Sequence, residues 1–384
     1  MLMKRHVALL IETSSQYGRE VIMGIVRFMR THDDWSVYLE QREIIDGPPA
    51  WLSNWHGDGI LSRVTTPKLM TEIARTGIPL VNLTDREDFQ FPAAVTSDHH
   101  EIGRLAAEHL LERGFRHFGF CGYENEAWSR KRGDAFAETV GAAGFQCENH
   151  QSIWLGSGVR DWEKDQLDVV TWLRTLPRPI GILACNDFRG QAVVDACSKE
   201  SLAVPEVVAV IGVDNDEMVC SLSDPPLSSV IPNAESIGFQ SAQLLSELMN
   251  GLPGRESPVV IAPIGVATRQ STDVIAIEDA EIAQSLQYIR KHACSGMNVS
   301  DITDNIPVSR STLERSFRKL LGRSPQQEIR HVQVKRAQEL IHVSDLSIEQ
   351  ISAMCGFSHP EYMQVVFKRI VGMTPGQYRA QVKI

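Results

Sequence analysis

Along the first 230 or so residues, short unbroken apolar runs alternate with stretches in which apolar residues recur every three to four positions. The runs predict strands at 7–11, 59–61, 79–82, 117–121, 181–185 and 207–211. Runs this continuous suit strands covered on both faces, as in a parallel sheet. The intervening stretches predict helices. In 101–113, Ile102, Leu105, Ala106, His109 and Leu110 share one face, and Gly114 is placed to end the helix. The stretch 234–250 repeats the design with Ile237, Ser241, Leu244, Leu245 and Leu248 before Asn250-Gly251. Repeated strand–helix units imply a doubly wound α/β architecture. About 270 residues is long for one such sheet, so two lobes of roughly 120–150 residues are expected. The crossover between them is expected at 122–129, just after a strand. A loop-rich stretch at 250–263 precedes the last strand-like segment. The resulting division is an α/β domain over 1–275 and a second domain over 280–384.

Beyond 280 only the helical period remains. The first unit has a short helix at 299–306, a turn at Pro307-Val308, and a helix capped by Ser309, whose hydroxyl can accept a free backbone N–H. That helix turns Leu313, Phe317, Leu320 and Leu321 inward. The second unit has a helix at 348–355, a turn at Gly356, and a helix at 359–371 with Met363, Val366, Phe367 and Ile370 inward. The stretch Phe317-Arg318-Lys319-Leu320-Leu321-Gly322-Arg323-Ser324-Pro325 recurs fifty positions later as Phe367-Lys368-Arg369-Ile370-Val371-Gly372-Met373-Thr374-Pro375. The first helices are offset by forty-nine, since Ile302 matches Ile351 and Val308 matches Phe357. The second unit therefore carries one extra residue at the start of its presented helix. Two helix-turn-helix units, joined by an amphipathic helix at 327–342 about 24 Å long, can offer two helices to major-groove windows about 34 Å apart.

The overall charge of −10 argues against a nucleic-acid partner until the chain is divided. Residues 280–384 hold 14 basic and 9 acidic residues, a formal +5, which leaves −15 for the rest. A basic tail on an acidic body is the asymmetry expected when one domain meets phosphates. On the presented helices, Arg can fork onto guanine, Gln pairs with adenine and Glu accepts from cytosine. Arg318, Lys319, Lys368, Arg369 and Arg379 are candidates to neutralise phosphates.

Three stretches carry a resemblance: Ser309-x-x-x-Leu313-x-Arg315-x-Phe317, Ile351-Ser352-x-x-x-Gly356-Phe357, and Phe367-Lys368-x-x-x-Gly372-x-x-Pro375-x-x-Tyr378-Arg379. Over about 283–382 the chain resembles the AraC family of bacterial transcription regulators. The resemblance implies that Ser311, Glu314 and Arg315, then Glu361, Tyr362 and Gln364, contact bases of promoter DNA. It also implies a homodimer and a role with RNA polymerase. The chain departs from the family at Pro307, where Gly is usual, which puts the angle of the first helix in question.

The first domain carries Asp58-Gly59-Ile60, Ser97-Asp98-x4-Gly103, His117-Phe-Gly-Phe-Cys-Gly122, Arg130-x-x-Gly133, Asn186-Asp187, Gly212-Val-Asp214-Asn215 and Arg269-x-Ser271. In this order it resembles the two-lobed periplasmic-binding-protein fold of LacI/GalR-type regulators, without their N-terminal headpiece. Ligands of such folds sit in the cleft at the C-terminal ends of strands. A sugar needs polar forks for its hydroxyls and an apolar face for its ring. Asp187 and Asp214 follow strands and can accept hydroxyl protons, and Arg130 can donate a pair. Trp128 or Trp162 can cover the ring. By family position Arg130, Trp162, Asn186 and Asp214 are the expected cleft residues. A turn role competes at Asp214, and a helix N-cap role is favoured at Asp187. Tyr17, Arg19 and Glu20, after the first strand, are weaker candidates. The resemblance implies a monosaccharide effector, a xylose-like pentose, and an activator.

A sugar-processing enzyme with an accessory helical domain is the alternative. Against it, the chain lacks G-x-x-x-x-G-K-[ST], G-x-G-x-x-G after the first strand, G-x-S-x-G and H-E-x-x-H. His99-His100 is a poor metal pair, because adjacent helical side chains diverge. No cofactor or metal is expected. The opening apolar stretch is stopped by Glu12, too early for a signal peptide, which disfavours a transport component. Seven scattered cysteines without a C-x-x-C pair fit the cytoplasm, and no run approaches the roughly 20 apolar residues of a membrane span.

Overall fold

The computed structural model describes residues 4–32, 35–43, 46–63, 66–84, 93–153, 162–254, 257–273, 279–344 and 346–382. The chain divides into two compact units, residues 1–274 and 275–384. The anticipated boundary at 275–280 falls largely on 274–278, outside the described residues.

The first unit runs β1 (Arg5–Leu10), α1 (Gln16–Thr31), β2 (Trp35–Leu39), β3 (Gly59–Ser62), α2 (Pro67–Thr76), β4 (Leu80–Asn82) and β5 (Val95–Ser97). It continues with α3 (His99–Leu111), β6 (Phe118–Tyr123), α4 (Ala127–Ala142), β7 (Cys147–Ser152), α5 (Trp162–Thr175), β8 (Ile180–Ala184), α6 (Asp187–Lys199), β9 (Val208–Val213), α7 (Glu217–Leu222) and β10 (Ser228–Ile231). It closes with α8 (Ala234–Met249), β11 (Val259–Ile261) and β12 (Gly265–Ala267).

Two sheets organise two lobes. The first has the order β2-β1-β3-β4, parallel throughout, and a bridge from Asn82 to Ala94 carries it on to the β5–β11 pair. The unbroken apolar run of β1 feeds both faces. Val7 and Leu9 enter a core with Val21, Ile25, Ile237 and Leu244, while Ala8 and Leu10 enter another with Leu69 and Ile73 of α2. Helices α1 and α8 cross backbone to backbone. A Cβ on Gly24 would meet the Glu235 carbonyl at 1.9 Å, and one on Gly238 would meet the Val21 carbonyl at 1.9 Å. The second lobe is built on β12-β10-β9-β8-β6-β7, parallel except for β12.

The chain passes between lobes three times: from β5 into α3, from β10 into α8, and from β11 to β12. The crossover expected at 122–129 is not one of these. That segment is the loop from β6 into α4 and stays within the second lobe. A loop at the C-terminal end of a parallel strand looks the same in sequence whether the chain stays or leaves.

The second unit is all helical: α9 (Ala280–His292), α10 (Val299–Asn305), α11 (Arg310–Leu321), α12 (Pro325–Val343), α13 (Ile348–Met354), α14 (Pro360–Val371) and α15 (Pro375–Val382). It holds two small cores. Ile282, Leu286 and Ile289 of α9 gather Ile302, Leu313, Phe317 and Ile329. Val334, Ala337 and Ile341 of α12 gather Ile351, Phe357, Met363, Val366 and Phe367. Helix α12 thus gives one end to each core. A capping box of Ser324 and Gln327 starts it at Pro325, earlier than anticipated, and over 19 residues it is about 28 Å long. Among the described residues no helix is long and apolar enough to cross a membrane.

Candidate functional site

The helix-turn-helix units take the predicted local form. Ser309 caps α11 by accepting from the Thr312 N–H, and Gly322 ends it in the left-handed region at φ 66°. Pro307 forces Ile306 into an extended conformation (φ −126°, ψ 137°). The first turn therefore closes without the left-handed residue that Gly356 (φ 74°) supplies to the second. On α11, Ser311 and Arg315 stand exposed and Glu314 half-buried, 3.8 Å from Arg318. The Ser311 hydroxyl lies 3.0 Å from that of Ser309. On α14, Glu361, Tyr362 and Gln364 are exposed. The Tyr362 ring lies under the Arg330 guanidinium, 5.0 Å away. Arg318, Lys319, Lys368 and Arg369 are all exposed. Arg379 differs from the expectation: it is half-buried and donates from Nη2 to the Leu346 carbonyl at 2.6 Å, fastening α15 to the loop before α13. The motif ending in Tyr378-Arg379 supplies a cation there but not its direction.

In the first unit, charged side chains from both lobes converge where strands end. Glu12, after β1, pairs with Arg63, after β3. The Arg63 guanidinium lies 4.8 Å over the Tyr17 ring, and the Tyr17 hydroxyl is 3.2 Å from Ser97 Oγ. From the other lobe, Arg132 of α4 lies 3.5 Å from Asp214, after β9. Its other groups are held: Nη1 donates to the Cys185 carbonyl at 2.6 Å, Nε donates to His99 Nδ1 at 3.3 Å, and the Trp128 ring stacks on it at 5.0 Å. Asp214 and Asn215 both have positive φ (105° and 52°), a strained turn of the kind found at ligand clamps. Asp187 holds that turn from below, accepting from Ser229 Oγ at 2.6 Å and from the Asp216 N–H at 2.7 Å.

The electrostatics join the two walls. Burial raises the Asp214 carboxyl above its ordinary range, against the pull of Arg132 and Arg63. Burial likewise raises the Tyr17 phenol, with Asp214 among the groups acting on it. Burial and then Arg132 push His99 well below the usual imidazole range, so the ring is neutral and accepts from Arg132. Burial and then Asp214 push Asp187 well up. At the mouth, the Glu217 N–H donates to Gln16 Oε1 across the crevice at 2.8 Å.

Against the expected cleft set, Asp214 is at the centre. Asn186 is nearby but caps α6 with its side chain, accepting from the Arg189 N–H at 2.9 Å. The cap role expected of Asp187 thus belongs to its neighbour, and Asp187 supports the turn instead. Trp128 covers Arg132 and donates to Glu126 at 2.9 Å. Trp162 is 53 % exposed and stacks on Lys199 of α6 at 5.1 Å, away from the charged cluster. Arg130 is half-buried and donates to the Glu124 carbonyl at 2.8 Å; Arg132, two positions on, is the arginine that reaches Asp214. Arg19 donates to the Thr13 and Ser14 carbonyls, and Glu20 accepts from Gln16. None of Glu12, Arg63, Ser97, His99 and Arg132 was expected from sequence as a cleft contact. One signal was available for Arg132: with Ser129, Phe136 and Val140 it occupies the buried stripe of α4.

Comparisons with known proteins bear on both units. A model of the periplasmic binding protein-like domain matches residues 107–272, a XylR N-terminal domain model matches 6–94, and a helix-turn-helix domain model matches 302–381. The chain is 33% identical over 386 residues to the xylose operon regulatory protein of Haemophilus influenzae, covering 97% of each. It is 30% identical over 390 residues to that of Escherichia coli K12, covering 99% of this chain and 98% of the relative. The solved structure of the xylose-binding transcription activator xylR matches with a TM-score of 0.84 at 28% identity, over 99% of this chain and 98% of that one. These relatives are transcription regulators, and the enzyme alternative is set aside.

Proposed function

The chain belongs to the family of xylose operon regulatory proteins, and from that premise we propose that it is a transcription activator switched by a pentose, xylose first, held between the lobes of its first unit. The observation that carries the sugar site is the pairing of Arg132 with Asp214 at a strained turn, facing Tyr17 and Arg63. A guanidinium held on three sides offers N–H forks to hydroxyl oxygens, and a carboxylate beside it accepts hydroxyl protons. The Trp128 ring gives the crevice an apolar wall. Arg130 and Trp162 drop out of the proposed contact set, and Arg132, Tyr17 and Arg63 enter it. Asn186 and Asp187 shape the site through the α6 terminus and the turn.

A sugar bridging the walls draws the lobes together about the three crossing segments, and closure is driven only by the difference in its affinity for the closed and open forms. The second unit grips promoter DNA through α11 and α14, with Ser311, Glu314, Arg315, Glu361, Tyr362 and Gln364 toward bases. Arg318, Lys319, Lys368 and Arg369 take phosphates. The protein works as a homodimer that engages RNA polymerase. A thermal-shift screen against monosaccharides tests the effector. Xylose should raise Tm in the native chain and leave Asp214→Ala unmoved; a chain that xylose does not shift refutes the effector assignment.

A further inference from the structure

The two helix-turn-helix units have separate cores, so the angle between their presented helices depends on what joins them. Helix α12 is shared, but a single helix leaves two small bundles free to rock. A second contact removes that freedom. Gln333, at the middle of α12, has no exposed surface. Its Nε2 donates to the Ala293 carbonyl of the first bundle at 2.7 Å and lies 3.3 Å from the Gly356 carbonyl in the second unit's turn. Its Oε1 accepts from Arg330 Nη1 at 2.7 Å. The Arg330 guanidinium in turn lies over Phe357 at 5.5 Å and over Tyr362, on the presented face of α14, at 5.0 Å. The backbones also touch: a Cβ on Gly356 would meet the Cys294 carbonyl at 2.6 Å and the Gly296 N–H nitrogen at 2.8 Å. Gly356 thus serves its own left-handed turn and seats that turn on the first bundle.

We propose that Gln333, with Gly356, is the positioning residue that fixes the register between the two DNA-reading helices, and so sets the one spacing of contacted windows the protein accepts. Both ends of the buried Gln333 amide are hydrogen-bonded, and an apolar replacement leaves two carbonyls and a guanidinium edge without that partner. The inference rests on the reading that both α11 and α14 enter DNA. One base pair inserted between the windows displaces the second by about 3.4 Å and turns it by about 34°. A locked pair of bundles cannot follow that change, whereas a rocking pair can.

The test uses the full chain and a DNA site selected by the native protein from a random library, with one base pair then inserted or removed between the two footprinted windows. The native protein should lose at least about tenfold in affinity at either altered spacing. Gln333→Leu should bind the original site more weakly, lose less than about threefold between spacings, and keep the native base preference inside each window. A loss of folding alone cannot produce that pattern. Gln333→Met, of similar length, provides a second reading should the Leu variant melt early. A native spacing penalty kept by both variants overturns the role of Gln333. A native footprint confined to one window overturns the two-helix reading beneath it, and the proposal with it.

Discussion

Arg132 stands 3.5 Å from Asp214 with its Nη1 and Nε already donated, to the Cys185 carbonyl and to neutral His99. The guanidinium is therefore aimed before any ligand arrives, which lowers the ordering cost of binding. A lysine has no planar fork to hold in this way. Arg132→Lys should weaken xylose binding at least about tenfold by calorimetry, and Asp214→Ala should abolish it. Arg130→Ala should stay within about threefold of the native affinity. Equal losses at Arg130 and Arg132 would contradict the placement of the fork.

The Gln16–Glu217 hydrogen bond spans the mouth of the crevice. It forms only when the lobes approach, so it adds to the closed state alone. Gln16→Ala should lower sugar affinity by about 0.5–1.5 kcal/mol, the net worth of one such bond. The dissociation rate should rise more than the association rate falls. An unchanged dissociation rate in stopped-flow mixing would show that the clasp does not hold the closed form.

His109 sits in the second lobe, 2.8 Å from Thr272 Oγ1, and burial, then Arg113, lower it from 6.5 to about 3. A histidine held neutral in the fold but free to charge when unfolded contributes stability that is present above the unfolded value near 6.5. That stability is lost as pH falls below it, down toward the folded value. At pH 5 the loss from His109 is on the order of 2 kcal/mol. His99 adds a loss of the same sign. His109→Gln, which keeps a polar partner for Thr272, should flatten the fall in Tm between pH 7 and pH 5. A variant whose Tm falls as steeply as the native protein's would place the acid sensitivity elsewhere.

On α11, Arg315 and Lys319 are both exposed but differ in assigned role. Arg315→Ala should cost about 1–3 kcal/mol and relax preference at one base position. Lys319→Ala should weaken all sequences alike and reduce the salt slope by roughly one unit. Equal losses of specificity from the two changes in binding titrations would refute the distinction.

The fold was largely legible because its signals are local. The apolar run of β1 and the spacing of Leu313 and Phe317 each report burial within a few residues of themselves. The duplicated tail was legible because the same local rules apply twice. The candidate sugar site was harder, because its parts meet only through the sheet order. Glu12 and Arg63 lie 51 residues apart and become neighbours because β1 and β3 pair. Arg130 and Arg132 are alike in type, and only the helical phase of α4 puts Arg132 on the buried stripe beside Asp214 and leaves Arg130 half-buried beside it. Asn186 takes the cap expected of Asp187 because either side chain can cap a helix, and the choice follows from a one-residue shift in where α6 begins.

The central claim is a coupling between the sugar crevice and DNA, so its most direct test measures both together. Affinity of the full chain for a selected promoter segment should be titrated with and without saturating xylose, beside Asp214→Ala. The account predicts at least about a fivefold change in DNA affinity with xylose, as expected of a coupling energy near 1 kcal/mol or more, and none in the variant. A native protein that binds both xylose and the promoter segment, with a DNA affinity the sugar leaves unchanged, would contradict it.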